Sequence, residues 1–470
     1  MSKLDYCFSN DYMVLRPDRV GPYELMHLLF SPKIGRNRAV DCFTSTEIHS
    51  FRRRFAIFMN LLLQLFLLSI VGPIVAVVGN AIEFALNFAS NILHGRMEYP
   101  DRKSASYRTI TGLIDQRVDL ERSITPGDSR YHAALCVMAS KVAYENEAFI
   151  RDVVTRRWNM EFIQFFNCWN EFESAYTAQA FVFRDRAEGT VVVAFRGTPA
   201  LDVSRWCADV DPSWYKIPRL GRAHAAYTHA LGAQRNVGWP KWVEHVKGKP
   251  QRVYAYYSIR DAVKRLLLLL DGGDDKPAAA PAARLLLTGH GSGGAMALLF
   301  ATVLAYHKEK AVMDRIAGVY TFGQPQVGDA MLAMFAERNL DRPKKRHFRF
   351  TYGDDLLPRL PTESSATHFL HFGVRLHFDT FYNLKVMKEL PGEGSSSSPA
   401  AWVTTRVNSA WELARSVYLG YWKSSYCREG WLLLAMRAVA VALPGLPFHR
   451  VHDYVNSITL AAGDLIPKDM

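Results

Sequence analysis

The chain has 470 residues, with 57 Lys and Arg against 45 Asp and Glu, which gives a net charge of +12. This charge is compatible with binding to nucleic acid, with binding to an anionic membrane, or with no charged partner. Hydrophobic residues make up 49% and charged residues 22%, so a sizeable core can form and a disordered or collagen-like chain is excluded. The six cysteines contain no C-x-x-C pair, which argues against a disulfide scaffold and a zinc ribbon, and no zinc-finger or RNA-binding motif supports a nucleic-acid partner.

The first distinctive element is a long apolar segment. No charged residue occurs over residues 55–82, and three arginines at 52–54 stand directly before it. A bilayer span needs about 20 apolar residues, and Gly72 and Pro73 lie where a helix would break or kink. The pattern predicts an anchor over 55–89, either as one kinked span or as a hairpin that returns to the same face. We favour the hairpin because each arm is short for a span; a buried core helix is the remaining alternative.

From about residue 128 the pattern becomes globular. Helices are predicted over 128–146, 253–270 and around 331–339, and strands over 178–185, 190–197, 285–288, 316–323 and 346–352. Strands that alternate with helices predict a mostly parallel sheet in an α/β fold. We therefore predict two parts, an N-terminal region over 1–127 that carries the anchor and an α/β domain over 128–470.

The sharpest chemical motif follows the strand at 285–288, where the chain continues as TGHGSGGAMA. A buried strand that turns abruptly into a helix through glycines is the context of the nucleophile elbow G-x-S-x-G. Glycines are needed on both sides of the turn because side chains there would collide. The amide after the nucleophile and the helix amino terminus then stabilise an oxyanion.

With these motifs the chain resembles the class 3 lipases, the fungal-lipase-like α/β-hydrolases, and among them the plant oil-body-associated triacylglycerol lipases. The likeness covers nearly the whole length and rests on DYMVLRPDRVG, the apolar segment, VVVAFRGT, the glycine elbow, YTFGQPQVGD, YGDDLLPRLP and HDYVNS. It implies an α/β-hydrolase fold and hydrolysis of acyl esters of glycerol, with no metal or organic cofactor. It also implies a lipid-droplet or endoplasmic reticulum membrane location with the hydrolase domain facing the cytosol.

The resemblance implies the site residues by position. The family's G-H-S-L-G-G aligns with residues 289–294, so the nucleophile position is occupied by Gly291. Ser292 follows where the family usually has leucine, and it is a possible shifted nucleophile. The family's aspartate matches Asp355, and its C-terminal histidine matches His449. In the family's mechanism the histidine deprotonates the nucleophile and the aspartate steadies the histidine.

The oxyanion hole implied by the family consists of Thr198 and the backbone amide of Ser292. Asp354 and His452 are the alternative aspartate and histidine. Trp206 and the aromatic residues at 214–217 suit either a lid that meets lipid or simple packing.

Three functions remain open at this point. The first is a working ester hydrolase that uses Ser292 or a residual water route, although His290 would then stand where the elbow needs a small residue. The second is a catalytically impaired lipase-like protein that still binds lipid and the droplet surface. The third is a membrane-anchored structural protein that only reuses the fold.

Overall fold

A computed structural model describes most of the chain. The described residues are 11–43, 45–233, 239–243, 251–271, 282–353, 355–361, 369–387, 399–422, 425–442, 449–461 and 465–466.

The main sheet has eight strands. Its order along the sheet is β12-β11-β10-β9-β8-β5-β4-β3. The strands are β3 (Glu161–Asn170), β4 (Ala175–Asp185), β5 (Thr190–Phe195), β8 (Arg284–His290), β9 (Ile316–Phe322), β10 (His347–Tyr352), β11 (Val374–Phe378) and β12 (Leu384–Met387). The five strands from β5 to β11 run parallel, and β3, β4 and β12 pair antiparallel at the two edges.

Helices cover both faces of this sheet. They are α3 (Ile110–Ile114), α4 (Tyr131–Val142), α5 (Glu147–Asp152), α6 (Val203–Val210), α7 (Ala225–Leu231), α8 (Ala255–Asp271), α9 (Ser292–Tyr306), α10 (Lys310–Met313), α11 (Ala330–Leu340), α12 (Pro399–Trp422), α13 (Trp431–Ala442) and α14 (Val451–Leu460). Strand β5 shows why: Val191 and Val193 pack into one core with α8 and α9, and Val192 and Ala194 pack into the other with α4 and α14. An unbroken apolar strand of this kind needs cover on both sides.

The predicted mostly parallel α/β sheet is confirmed. Each predicted strand is present within three residues of its expected ends. The three predicted helices are present as well, and the first of them ends four residues earlier than expected. The prediction missed β3, β11 and β12, which lie at or near the sheet edges, and it missed α12 and α13. Edge strands carry less regular apolar patterns because one side meets solvent.

A second, four-stranded sheet joins the N-terminal residues to the main body. Its order is β2-β1-β6-β7, with β1 (Tyr12–Leu15), β2 (Val40–Cys42), β6 (Trp214–Ile217) and β7 (Gly221–His224), all antiparallel. Trp214 and Tyr215 are buried in this sheet, which favours the packing interpretation of the aromatic group over the lid. The short helix α1 (Pro22–Phe30) lies between β1 and β2 in the chain.

The apolar segment forms one continuous helical run, α2 (Phe51–Leu93), and it is the one helix among the described residues long and apolar enough to cross a membrane. The hairpin predicted at Gly72 and Pro73 is wrong. The backbone stays right-handed helical through this point, so the chain does not reverse there. Five-residue π-helical stretches precede and follow this point. Such wider turns accommodate the missing proline N–H without a reversal of the chain.

Candidate active site

The loops that follow the parallel strands meet at one edge of the main sheet. β5 leads into Thr198, β8 into Gly291, and β10 into the segment that contains Asp355. In α/β sheets the carboxyl ends of the strands form the crevice where ligands bind. The sheet order therefore brings together residues that lie far apart in the sequence.

The turn between β8 and α9 has the geometry of a nucleophile elbow. Gly291 has φ 58° and ψ −128°, a strained conformation for any residue with a side chain. A Cβ built on Gly291 would lie 2.7 Å from Nε2 of His449. A side chain at this position would thus be directed at the imidazole, and the ring of His449 would have to shift back to make room for a serine hydroxyl within hydrogen-bond reach.

The strand and the helix on either side of the elbow approach each other closely. A Cβ on Gly289 would lie 2.2 Å from the carbonyl carbon of Gly293, and a Cβ on Gly293 would lie 2.4 Å from the carbonyl oxygen of Phe195. Real Cβ atoms do not tolerate such distances from backbone. The glycines that the motif predicted are therefore required by this packing.

His449 and Asp355 form a hydrogen-bonded pair. Nδ1 of His449 lies 2.9 Å from Oδ2 of Asp355, and the carboxylate is buried whereas the imidazole is partly exposed. The hydroxyl of Tyr454 donates to the same Oδ2 at 2.6 Å. Two donors fix the carboxylate, which in turn orients the imidazole with Nε2 toward Gly291.

Ser292 is the first residue of α9, and its hydroxyl contacts Thr198. Its Oγ lies 2.9 Å from Oγ1 of Thr198. Either hydroxyl can donate in this hydrogen bond. The Thr198 hydroxyl also favours the charged form of the Asp209 carboxyl. The Ser292 hydroxyl is thus engaged on the oxyanion side of the turn.

Asp209 belongs to the site although its sequence context indicates a structural role. Burial raises the pKa of its carboxyl to about 6, while hydrogen bonds from Thr198 and Tyr227 and the charge of His449 act in the opposite direction. The Tyr227 hydroxyl donates to Oδ1 at 3.1 Å. Asp209 lies in the segment WCADVD, a further motif of the family resemblance, and α6 carries it to the site.

His290 packs between the elbow and the body of the protein. Its ring stacks on His449 with centroids 4.3 Å apart, and Nδ1 lies 2.8 Å from the hydroxyl of Tyr144. Burial, together with nearby histidines, holds the pKa of His290 well below its usual range, so the ring is neutral. This buried ring stands two residues before Ser292, where an elbow centred on Ser292 would need a small side chain.

The alternative residues lie elsewhere. His452 is buried 3.3 Å from Oδ2 of Asp453 and 3.3 Å from Nη2 of Arg437, and Asp354 lies outside the described residues. Glu429, His452 and Asp453 have the ligand types and spacing of a metal site. Arg437 donates to both of these carboxylates at 2.7 Å, so an internal cation already neutralises the cluster.

A cavity of about 440 Å³ lies beside the candidate site. Leu68, Gly72 and Ala76 of α2 line one side, and residues 199–204 line the other, together with Arg196. This second segment directly follows Thr198. One cavity is therefore lined on one side by α2 and on the other side by the loop that follows Thr198.

Comparison with known proteins identifies related sequences. The model of the family described as Lipase (class 3) matches residues 192–365, a stretch that contains Thr198, Gly291 and Asp355. "Triacylglycerol lipase OBL1" from Nicotiana tabacum is 32% identical over 87% of this chain and 83% of its own length. The protein of the same name from Arabidopsis thaliana is 30% identical over 96% of this chain and 95% of its own length. "Lipase" from Rhizomucor miehei is 28% identical over 42% of this chain and 44% of its own length.

Proposed function

The chain belongs to the class 3 lipase family, and from that membership we propose that it is a triacylglycerol lipase-like protein that binds acyl esters of glycerol at a lipid surface. Its hydrolysis is impaired because the nucleophile position is Gly291. The anchor helix α2 holds it at a lipid-droplet or endoplasmic reticulum surface with the hydrolase domain on the cytosolic side. The relatives named as triacylglycerol lipases support the substrate class.

One observation carries the proposal: a Cβ on Gly291 would lie 2.7 Å from Nε2 of His449. His449 and Asp355 are thus arranged around a position that lacks a hydroxyl. Losing a serine nucleophile lowers turnover by about 10⁶-fold, and the remainder comes from binding and oxyanion stabilisation. A water molecule deprotonated by His449 is the slow route that stays available.

The chemistry of the restored site follows from the same geometry. A serine at 291 would transfer its proton to Nε2 of His449 as its oxygen attacks the ester carbonyl. Asp355 would steady the resulting imidazolium, and the Ser292 amide and Thr198 would stabilise the oxyanion. The imidazolium would then protonate the leaving glycerol oxygen, and water would release the acyl group.

The proposal is tested by installing the missing hydroxyl. Full-length wild type, Gly291→Ser and Gly291→Ala are compared on emulsified trioleoylglycerol by fatty-acid release. We expect wild type and Gly291→Ala to be nearly inert and Gly291→Ser to gain at least 100-fold, within the range of a restored nucleophile. Gly291→Ala is the matched control because it adds the same Cβ without the oxygen.

Two results would contradict the proposal. Robust wild-type hydrolysis that Ser292→Ala abolishes would show that the shifted serine is the nucleophile. No gain in Gly291→Ser, in a protein that unfolds at nearly the wild-type temperature, would show that His449 and Asp355 are not poised for catalysis. Binding of a non-hydrolysable ether analogue of triacylglycerol, measured on wild type, separates lipid binding from turnover.

A further inference from the structure

The helix α2 is much longer than a membrane crossing requires. It runs over 43 residues, and at 1.5 Å per residue this is about 64 Å. The hydrocarbon core of a bilayer is about 30 Å thick. A perpendicular helix of this length would extend well beyond the hydrocarbon.

A stripe of buried residues holds each end of α2 to the protein body. Its members are Arg54, Ile57, Leu61 and Gln64 toward the amino terminus and Glu83 and Asn87 toward the carboxyl terminus. Steps of three and four residues place the members of each group on one helix face. Residues 65–82 between the two groups are half-buried or exposed, so the central part of α2 is its most exposed part.

Buried polar contacts hold the amino-terminal end of α2 to the body. The guanidinium of Arg54 donates to the backbone carbonyls of Leu28, Leu29, Ile48 and His49. Moving Arg54 out of this position would leave its donors and these carbonyl oxygens without hydrogen-bond partners, which would destabilise the protein.

The amino-terminal half of the helix is also fixed to α6. Nδ2 of Asn60 donates to the carbonyl of Val210 at 2.7 Å, at the end of α6. The Cys207 thiol of α6 donates to the carbonyl of Gln64 at 3.9 Å. These contacts tie α2 to the segment that carries Asp209.

The carboxyl-terminal end is held in the same way. Glu83 accepts hydrogen bonds from the Tyr107 hydroxyl at 2.5 Å and from the Ile110 amide at 2.7 Å. Asn87 forms two hydrogen bonds with the backbone of Arg108. Both ends of α2 therefore stay on the protein surface, and a perpendicular crossing would pull these charged and polar groups into hydrocarbon.

The outward side of α2 is exposed and uncharged through its central part, with Ser69 as an exposed polar residue. Its exposed large apolar side chains are Phe55, Met59, Leu63, Phe66, Ile70, Ile74, Val77, Val78, Ile82 and Phe84. Helix α1, which packs against α2, also exposes Tyr23, Met26 and Phe30. An apolar surface of this length on a folded protein indicates an interaction site.

We propose that α2 lies flat in the phospholipid monolayer of a lipid droplet, with its outer face in the acyl chains and its inner stripe on the protein. The proposal rests on the proposed function, since that function requires contact with stored acylglycerol. A helix is about 10–12 Å across, and interfacial helices bury their apolar face about 5–10 Å deep. One leaflet accommodates that depth, and no second aqueous face is needed.

The charges at the two ends of α2 suit an anionic headgroup layer. Arg52 is exposed at the amino-terminal end. Just beyond the carboxyl-terminal end Arg96, Arg102 and Lys103 are exposed together with Glu98 and Asp101, so residues 96–103 carry a net charge of +1. Basic residues near an anionic lipid surface favour binding to it. Met97 and Tyr99, both strongly exposed, extend the apolar face at the same end.

A flat orientation brings the candidate site to the lipid. The cavity that α2 shares with residues 199–204 would then open beside the monolayer. Thr198, Gly291 and His449 do not line this cavity, but Thr198 directly precedes residues 199–204, so an acyl chain in the cavity would lie next to the loop that carries the oxyanion residue.

The first test measures binding of the full chain to artificial droplets of trioleoylglycerol coated with phosphatidylcholine and phosphatidylinositol. The double variant Ile74→Asp and Val77→Asp changes two outer-face residues of α2. The control, Leu268→Asp and Leu269→Asp, changes two comparably exposed residues of α8. We expect at least tenfold weaker flotation for the α2 variant and unchanged flotation for the control.

The second test measures depth in the droplet monolayer and in vesicles of the same phospholipids. A fluorescent label is placed at Met59→Cys, Ile70→Cys or Ile82→Cys in a Cys7→Ser background, because the described native cysteines are all buried. Quenching by lipids that carry nitroxides near the headgroup or near the chain end reports the depth. A flat helix gives one shallow depth at all three positions.

Each outcome decides between orientations. A deep label at position 70 with shallow labels at 59 and 82 would show a hairpin or a span and overturn the proposal. Equal flotation of the α2 variant and wild type would also overturn it, and binding to vesicles but not to droplets would assign α2 to a bilayer instead. Hydrolysis of a dispersed short-chain ester by Gly291→Ser, measured without droplets, tests the proposed function separately.

Discussion

At the residue scale, Gly291 removes the nucleophile while it relieves backbone strain. Its φ of 58° and ψ of −128° are accessible to glycine without steric conflict. A residue with a side chain held in such a region costs about 1–3 kcal/mol. In the proposed function a serine at 291 would therefore gain turnover and lose some stability, the exchange typical of active sites.

The close approach of β8 and α9 is a second effect of single residues. We expect Gly293→Ala to lower the free energy of unfolding by about 3 kcal/mol or more, because overpacking against rigid backbone is destabilising. The new Cβ would lie 2.4 Å from the Phe195 carbonyl oxygen. Thermal unfolding in detergent measures the loss, and Gly430→Ala is the control because its Cβ would meet nothing within 4 Å. Equal melting temperatures for the two variants would contradict the packing argument.

At the element scale, the C-terminal helices are joined by a buried ion cluster around Arg437 of α13. Its guanidinium contacts Glu412 of α12 at 3.1 Å, Glu429 at 2.7 Å and Asp453 of α14 at 2.7 Å. All four side chains are buried. Because His449 lies just before α14, this cluster also positions the segment that carries the histidine.

Removing the central cation leaves several carboxylates without their partner. We expect Arg437→Met to destabilise the protein by about 3–5 kcal/mol, the usual cost of an uncompensated buried charge. The matched control is Arg151→Met, whose ion pair with Glu147 is largely exposed and contributes about 0.5 kcal/mol or less. Urea denaturation followed by tryptophan fluorescence compares the two. A change under 1 kcal/mol for Arg437→Met would contradict the structural role of the cluster.

At the scale of the whole molecule, buried carboxyls couple stability to pH. Asp211 joins the α2 region to the small sheet, because its Oδ1 accepts hydrogen bonds from the amide and hydroxyl of Ser213 at 3.0 and 2.6 Å. Burial raises the pKa of Asp211 to about 7. The folded protein therefore binds a proton at Asp211 that the unfolded chain releases near pH 4.

The sign of the pH effect follows from this raised pKa. The contribution of Asp211 to stability is fully present below about pH 4 and is lost as the pH rises through about 7. We expect wild type to lose more thermal stability than Asp211→Asn between about pH 5 and pH 8, by at least about 2–4 °C. Because the other titrating groups are the same in both proteins, their contributions cancel when the two changes in melting temperature are subtracted. An identical pH dependence in both would show that Asp211 does not titrate in this range.

Local patterns sufficed to predict much of the fold. The buried strands β5 and β8 contain unbroken apolar runs at 191–195 and 285–287, and a strand of this kind needs cover on both faces wherever it lies. The edge strands and the small sheet were missed because their pairing depends on residues distant in the chain, as when β1 pairs with β6. Proline at 73 indicated a break, whereas π-helical turns and contacts with the body keep α2 continuous.

The sequence by itself determined the α/β sheet, the glycine elbow and the glycine at its nucleophile position, because strand patterns and motif spacing are properties of neighbouring residues. Only the tertiary structure decided that His449 meets Asp355 at the face of Gly291, that Ser292 bonds to Thr198, and that Asp209 supports that threonine. It also decided which face of α2 is covered and which is exposed. Such contacts join residues from separate elements, and their distances depend on how the helices pack on the sheet, which no local pattern contains.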